Sequence, residues 1–272
     1  MTQQKNNMSF LAHLEELRWH LVRSSIAIFT LGIVLFVFKK EVYDFFLLAH
    51  LKSDFVTYEA FCEVFKLVGV NSDFCGVHFP QKLQSLSLTN QLMNAIWSSL
   101  ILGLIVAFPY VLWEFWKFIA PGLRKEEVKK SKGFLLITSL LFFLGVLFSF
   151  YVIVPMSVYF FYHFEITDAI QNNFTLSSYI SMVTNTILGV SIVFELPVLI
   201  FFLTKLGLIS PGFLKTYRKH ALVVVLLLSA IITPPDIASQ IIVSIPILIL
   251  YEISIHVSKW VVKKQERRNQ SL

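Results

Sequence analysis

The chain has 272 residues, of which 56% are hydrophobic and 15% are Asp, Glu, Lys or Arg; soluble domains carry about 25% charged residues. With 27 Phe and a mean hydropathy of +0.71, this composition excludes a soluble enzyme with a wetted shell, a disordered chain and a disulfide-dense secreted module. The net charge of +6 would suggest nucleic acid in a soluble protein. In a chain whose solvent is lipid it reads first as topology, and no nucleic-acid partner is expected.

A bilayer-crossing helix needs about 20 mostly apolar residues. In residues 9–23, Phe10, Leu14, Leu17 and Leu21 recur at helical spacing, with His13, Glu16, His20 and Arg23 on the opposite face. This predicts an amphipathic helix within residues 1–20, lying at the cytoplasmic interface with its polar face solvated and Ser9 as N-cap. It runs into a first span over 21–38. The spacing of His13, Glu16 and His20 is too weak a pattern to assign a metal, and none is expected.

Residues 39–90 form the one long loop, and both cysteines, Cys62 and Cys75, fall in it. An extracytoplasmic location is oxidising in most bacteria and favours a disulfide over two free thiols. The second span is 93–113. The 114–132 loop turns at Ala120-Pro121-Gly122 and sets Glu126 and Glu127 among six bases. Those acids are either solvated or offered to a cationic partner, since Arg pairs with carboxylates bidentately.

The third span, 133–154, carries no charge. The fourth, 179–204, contains Glu195 followed by Pro197. A charge at the bilayer centre costs at least about 2.5–3.5 kcal/mol. Glu195 should therefore face a cavity, a partner helix or a protonation task; a protonated Glu bonded to a neighbouring helix is the structural alternative. The last apolar run is broken by Thr233-Pro234-Pro235-Asp236, read as a turn in which Asp236 caps the next helix. This leaves 221–232 and 237–257 as short fifth and sixth spans, then a tail at 258–272. A dozen apolar residues reach roughly 18 Å, less than the roughly 30 Å hydrocarbon layer. Gln240 and Glu252 are milder polar anomalies in the sixth span.

All of the 23 bases except Lys39, Lys40, Lys52, Lys66 and Lys82 fall on one side of this arrangement. The positive-inside rule places that side, with both termini, in the cytoplasm. The expectation is an all-α membrane protein of six transmembrane helices forming a single domain.

Five motifs, in order, resemble the TatC family, the multi-span subunit of twin-arginine translocases. They are His13-Leu14-x-Glu16-Leu17-Arg18; Trp116-x-Phe118-Ile119-Ala120-Pro121-Gly122-Leu123 with Glu127; Phe194-Glu195-x-Pro197; Thr233-Pro234-Pro235-Asp236-x-x-Ser239-Gln240; and Pro246 with Tyr251-Glu252. The resemblance spans almost the whole chain. It implies a cupped bundle in the bacterial cytoplasmic (inner) membrane that receives the twin-arginine signal peptides of folded cargo proteins. It also implies assembly with single-span TatA and TatB subunits as a homo- or hetero-oligomer, with transport driven by the proton-motive force and no cofactor.

By the match of motifs, Glu16 and Glu127 receive the two signal-peptide arginines, and Arg18 and Phe118 shape that surface. Glu195 and Gln240 meet polar groups of partner helices, and Pro121, Pro234, Pro235 and Asp236 form structural turns. The sequence departs from the family pattern at His20, where a second base is usual, at Glu15 beside Glu16, and in the long outer loop. The competing reading is a proton- or ion-coupled transporter using Glu195, but no internal repeat supports it. No HExxH, GxSxG or P-loop pattern points to an enzyme.

Overall fold

Lipid-facing chains satisfy their backbone polar groups within helices, and the computed structural model of this chain is built almost wholly of them. It describes residues 10–68, 76, 79, 83–120, 131–167, 173–232 and 237–270. Among these, five helices are long and apolar enough to cross a membrane: Leu14–Val37, Asn90–Ile119, Gly133–His163, Leu176–Lys205 and Gln240–Arg267. Among the described residues the only strand-like pairing is an isolated parallel bridge between Gln84 and Thr175.

In chain order the helices are α1 (Phe10–Val37), α2 (Lys39–Val42), α3 (Val56–Val68), α4 (Asn90–Ile119), α5 (Ser131–Phe148), α6 (Val154–His163), α7 (Leu176–Phe194), α8 (Leu196–Lys205), α9 (Pro211–Thr216), α10 (Arg218–Ile232) and α11 (Ile237–Gln270). They divide into two compact bodies. One is Met1–Lys39 with Ala95–Ser139, and the other is Lys40–Asn94 with Leu140–Leu272.

Several boundaries differ from the sequence expectation. The third span does not stop at Val154. A wide helical turn at Ser149–Ile153 carries it through Pro155 into α6. Widening the turn is how a helix accommodates a residue with no N–H to donate. The fourth span is broken rather than continuous: Glu195, at φ −77° and ψ 0°, ends α7, and Pro197 opens α8. The last helix is not short, because it runs on to Gln270 as charged residues continue the apolar segment. The fifth span has 15 helical residues, Arg218–Ile232, too few to count among the five long helices. The turn residues Pro121, Pro234, Pro235 and Asp236, and the proposed cap Ser9, lie outside the described residues.

In the first body, α1 and α4 cross at glycines. A Cβ on Gly103 would lie 2.8 Å from the Gly32 nitrogen and 2.9 Å from both Gly32 Cα and the Ile28 carbonyl oxygen. Small residues permit this backbone approach, which drives helix association in lipid. The second body has a core of Ile153, Val190, Phe194, Val225, Val243, Ile247 and Leu250. Polar bonds fasten its helices further. Thr204 Oγ1 donates to Ser258 Oγ at 2.9 Å, Tyr251 donates to the Leu214 carbonyl at 2.8 Å, and Arg218 pairs with Glu252 at 2.6 Å. That ion pair accounts for the acid near the end of the last span.

The long segment 39–90 is not a plain loop. It holds α2, a wide turn at Tyr43–Leu47, a tight turn at Ala49–Leu51, and α3. Three carbonyls around the Ser149–Ile153 turn and Pro155 accept side-chain donors from it. His50 Nε2 donates to the Phe150 carbonyl at 2.9 Å, Thr57 donates to that of Tyr151, and the Tyr58 hydroxyl is shared between the carbonyls of His50 at 2.9 Å and Pro155 at 3.2 Å. A proline frees a preceding carbonyl, and here polar side chains of the 39–90 segment cover that stretch of the helix. Burial holds His50 neutral, lowering its pKa to about 4, and pushes the Tyr58 phenol well above its ordinary value. Cys62, on α3, is disulfide-bonded. Cys75 lies outside the described residues.

Candidate functional site

In the first body, α1 and α4 bring a set of ionisable groups together. Of the polar face of α1, expected to be solvated, the structure buries His20 and half-buries Glu16 while Arg23 stays exposed. His20 is buried, whereas Leu14 and Leu21 of the apolar stripe are exposed at 44% and 45%. The physical reason is the medium. An apolar stripe on a membrane protein is satisfied by lipid, and the polar face needs a polar protein partner instead.

That partner is Glu114 on α4, with a side chain only 2% exposed. His20 Nδ1 donates to Glu114 Oε2 at 2.6 Å. Lys117 Nζ donates to Oε1 at 3.0 Å, and Arg23 approaches Oε2 at 3.9 Å. Lys117 also sits 3.3 Å above the Trp113 ring, and the ring of Phe118 meets that of His20 edge-on at 6.3 Å. A carboxylate this buried persists because positive and hydrogen-bonding groups surround it.

Sequence reasoning passed over Glu114. The signal was present: a lone acid directly after the 93–113 apolar run, among aromatic residues, with Lys117 one turn on. Its burial needed the partner helix to become visible.

Beside this pair lies a pocket of about 410 Å3 lined by Glu16, Trp19, His20 and Arg23. Glu16 Oε2 is buried there and has no hydrogen-bond partner among the described residues. Arg18 is exposed and Phe118 half-buried. Glu127 lies outside the described residues, so the structure brings together Glu16, His20 and Phe118 without testing the second expected arginine receiver.

In the second body, both carboxylate oxygens of Glu195 are buried and without a hydrogen-bond partner among the described residues. The α7–α8 break holds it there. Its carbonyl accepts from Val198 and Leu199, each at 3.0 Å. Gln240 spends one amide hydrogen on the Leu226 carbonyl at 3.2 Å, and no bond joins it to Glu195.

The comparisons with known proteins bear on this arrangement as a whole. The model of the family described as "Sec-independent protein translocase protein (TatC)" matches residues 12–246. The chain belongs to the TatC family. The TatC protein of Blattabacterium sp. subsp. Periplaneta americana is 41% identical over 266 residues, covering 97% of this chain and 100% of the relative. That of Aquifex aeolicus is 32% identical, covering 95% and 98%. A crystal structure of the twin-arginine translocase receptor TatC is similar at a TM-score of 0.68 and 31% identity, covering 92% of this chain and 99% of that one.

Membership in the TatC family and the five long apolar helices together make this a multi-pass membrane protein. Two unpaired acids, Glu16 and Glu195, distinguish its described residues. Each sits where a carboxylate without a partner costs free energy, and so each calls for a ligand or a task.

Proposed function

We propose that this chain is the receptor and core subunit of a twin-arginine protein export system in the bacterial cytoplasmic membrane. It binds the twin-arginine signal peptides of folded proteins, and both of its termini face the cytoplasm. It assembles with single-span TatA and TatB subunits, and the proton-motive force drives transport.

The observation that carries this reading is the Glu16 pocket. Glu16 and Trp19 line a cavity of about 410 Å3, and one carboxylate oxygen of Glu16 is buried without a hydrogen-bond partner among the described residues. A guanidinium suits it on both counts, pairing with carboxylates in a plane and stacking on aromatic faces. Glu127 receives the second arginine. Phe118, whose ring meets that of His20, borders the same surface, whereas Arg18 lines a separate groove with Leu14, Leu17 and Leu21.

Glu195 serves a different purpose. A buried carboxyl group with nothing to bond suits a polar side chain on a partner's transmembrane helix, since such groups associate helices in lipid. Gln240 keeps one amide hydrogen and its carbonyl oxygen for the same surface. In the extracytoplasmic segment, Cys75 is the partner of Cys62, the only other cysteine in the chain. Thiol labelling without reductant should find neither.

Deleting the chain tests the whole reading. Folded cargo with a twin-arginine signal should then stay in the cytoplasm, and unimpaired export in a strain with no second copy would reject it. Replacing Glu16 and Glu127 by Ala should abolish site-specific crosslinking to a signal peptide. Undiminished crosslinking would reject their role as arginine receivers.

A further inference from the structure

Where α9, α10 and α11 meet, three bases crowd together. Lys215 lies on α9, Arg218 opens α10 and Lys259 lies on α11, and all three are exposed. The Lys215 side chain comes within hydrogen-bonding reach of the Lys259 amine, and Arg218 is close enough to act on the same charge. Tyr251 holds this arrangement in place. Its hydroxyl donates to the Leu214 carbonyl at 2.8 Å and so ties α11 to α9.

Ammonium groups set side by side repel one another. Among the described residues Glu252 is the one acid that acts on Lys259, and it is already paired with Arg218 at 2.6 Å. The folded chain therefore holds two lysines together with no carboxylate between them. An anion placed there is attracted by both lysines and by Arg218, and phosphate oxygens suit all three donors.

The surroundings specify what carries the phosphate. Phe213, Tyr217 and Trp260 stand beside the bases in the chain and are exposed at 51%, 44% and 59%. Aromatic side chains take such places at a membrane–water boundary. The apolar run of α10 begins three residues after Arg218, and Leu222 and Val223 there are exposed, as is Ile253 on α11. A soluble phosphate leaves that surface unused. A phospholipid covers it with its chains while its headgroup meets the bases.

We propose that Lys215, Arg218 and Lys259 bind the phosphate of an anionic phospholipid whose acyl chains lie along α10 and α11. Under the orientation given above, the lipid belongs to the cytoplasmic leaflet. The site uses no residue of the Glu16 pocket and does not depend on how signal peptides bind.

The test titrates the purified full chain in detergent with phosphatidylglycerol, and separately with phosphatidylcholine. Native mass spectrometry reads the lipid retained by each chain. A base near a membrane surface is worth about fivefold in affinity for an anionic lipid. The wild type should therefore hold phosphatidylglycerol about tenfold more strongly than phosphatidylcholine. Lys215→Gln combined with Lys259→Gln should lose most of that preference, and Lys215→Arg combined with Lys259→Arg should keep it. Lys263→Gln combined with Arg267→Gln removes the same charge from exposed positions further along α11, and should leave the preference unchanged.

A wild type without the preference would overturn the proposal. So would an equal loss in the Lys263 and Arg267 variant, which would mean diffuse attraction to a basic tail. Displacement of bound phosphatidylglycerol by inorganic phosphate at equal concentration would overturn the assignment to lipid. Lys259→Gln alone should weaken phosphatidylglycerol binding about fivefold, and it decides the matter if the double variant does not fold.

Discussion

His20 on α1 and Glu114 on α4 are 94 residues apart in sequence and meet at 2.6 Å. Lys117 closes on the other oxygen of the same carboxylate at 3.0 Å. Removing one member of such a buried pair leaves the other without compensation. His20→Ala leaves the nearly inaccessible Glu114 with Lys117 alone, and should cost about 2–3 kcal/mol of stability. Glu114→Ala leaves bases that reach solvent and should cost less. Unfolding of both single variants and the double variant in detergent checks this, and a coupling energy near zero would reject the pair as a unit.

A Cβ added to Gly103 would lie 2.8 Å and 2.9 Å from Gly32 backbone atoms, closer than a methyl group can approach. Gly103→Ala should force α1 and α4 apart and destabilise the chain by about 1–3 kcal/mol. Gly133→Ala is the control, because a Cβ there meets nothing within 4 Å. Equal melting temperatures for the two variants would contradict the crossing.

Glu195 has no partner to lose among the described residues. Replacing an unsatisfied buried polar group with an apolar one is neutral or stabilising. Glu195→Leu should therefore melt at or above the wild-type temperature, while crosslinking to a partner single-span helix falls. A destabilised variant with unchanged partner crosslinking would count against the proposed contact.

His50 gives the 39–90 segment a pH dependence. Its ordinary pKa of 6.5 falls to about 4 when burial holds it neutral. Between those values the unfolded chain binds more protons than the folded one, so stability rises with pH. Its contribution is complete above pH 6.5 and is lost as pH falls toward 4, by ~3 kcal/mol in full. Unfolding measured across this window should lose that slope in His50→Gln. An identical slope in the variant would assign the effect to another group.

Hydropathy made the spans legible because a bilayer imposes length and apolarity on each segment independently. The charge-free stretch after Gly133 could be read without knowing its neighbours. Its end could not. Pro155 looks like a stop, yet the wide turn at Ser149–Ile153 carries the helix past it, and the carbonyls of Phe150 and Tyr151 find His50 and Thr57 about a hundred residues away. Local patterning contains no record of such a partner.

The site divides in the same way. Glu16 and Glu195 could be singled out from sequence because an acid in or beside an apolar helix is anomalous by itself. Glu114 is equally anomalous, but its proximity to the end of a span hid it among interface residues. Only the crossing of α1 and α4, set by Gly32 and Gly103, turns it into the centre of a buried cluster. The burial of His20 follows from the same crossing.

The scarcity of charge, 15% of the chain, by itself determined that this is a membrane protein and which acids are costly. It did so because the transfer cost of a charge into lipid belongs to each residue separately. Which acids are paired and which are left open was decided only by the tertiary structure. Glu114 is matched by His20 and Lys117, Glu252 by Arg218, and Glu16 and Glu195 by nothing among the described residues. Pairing depends on distances of a few ångströms between helices far apart in sequence, and those distances exist only once the helices have packed.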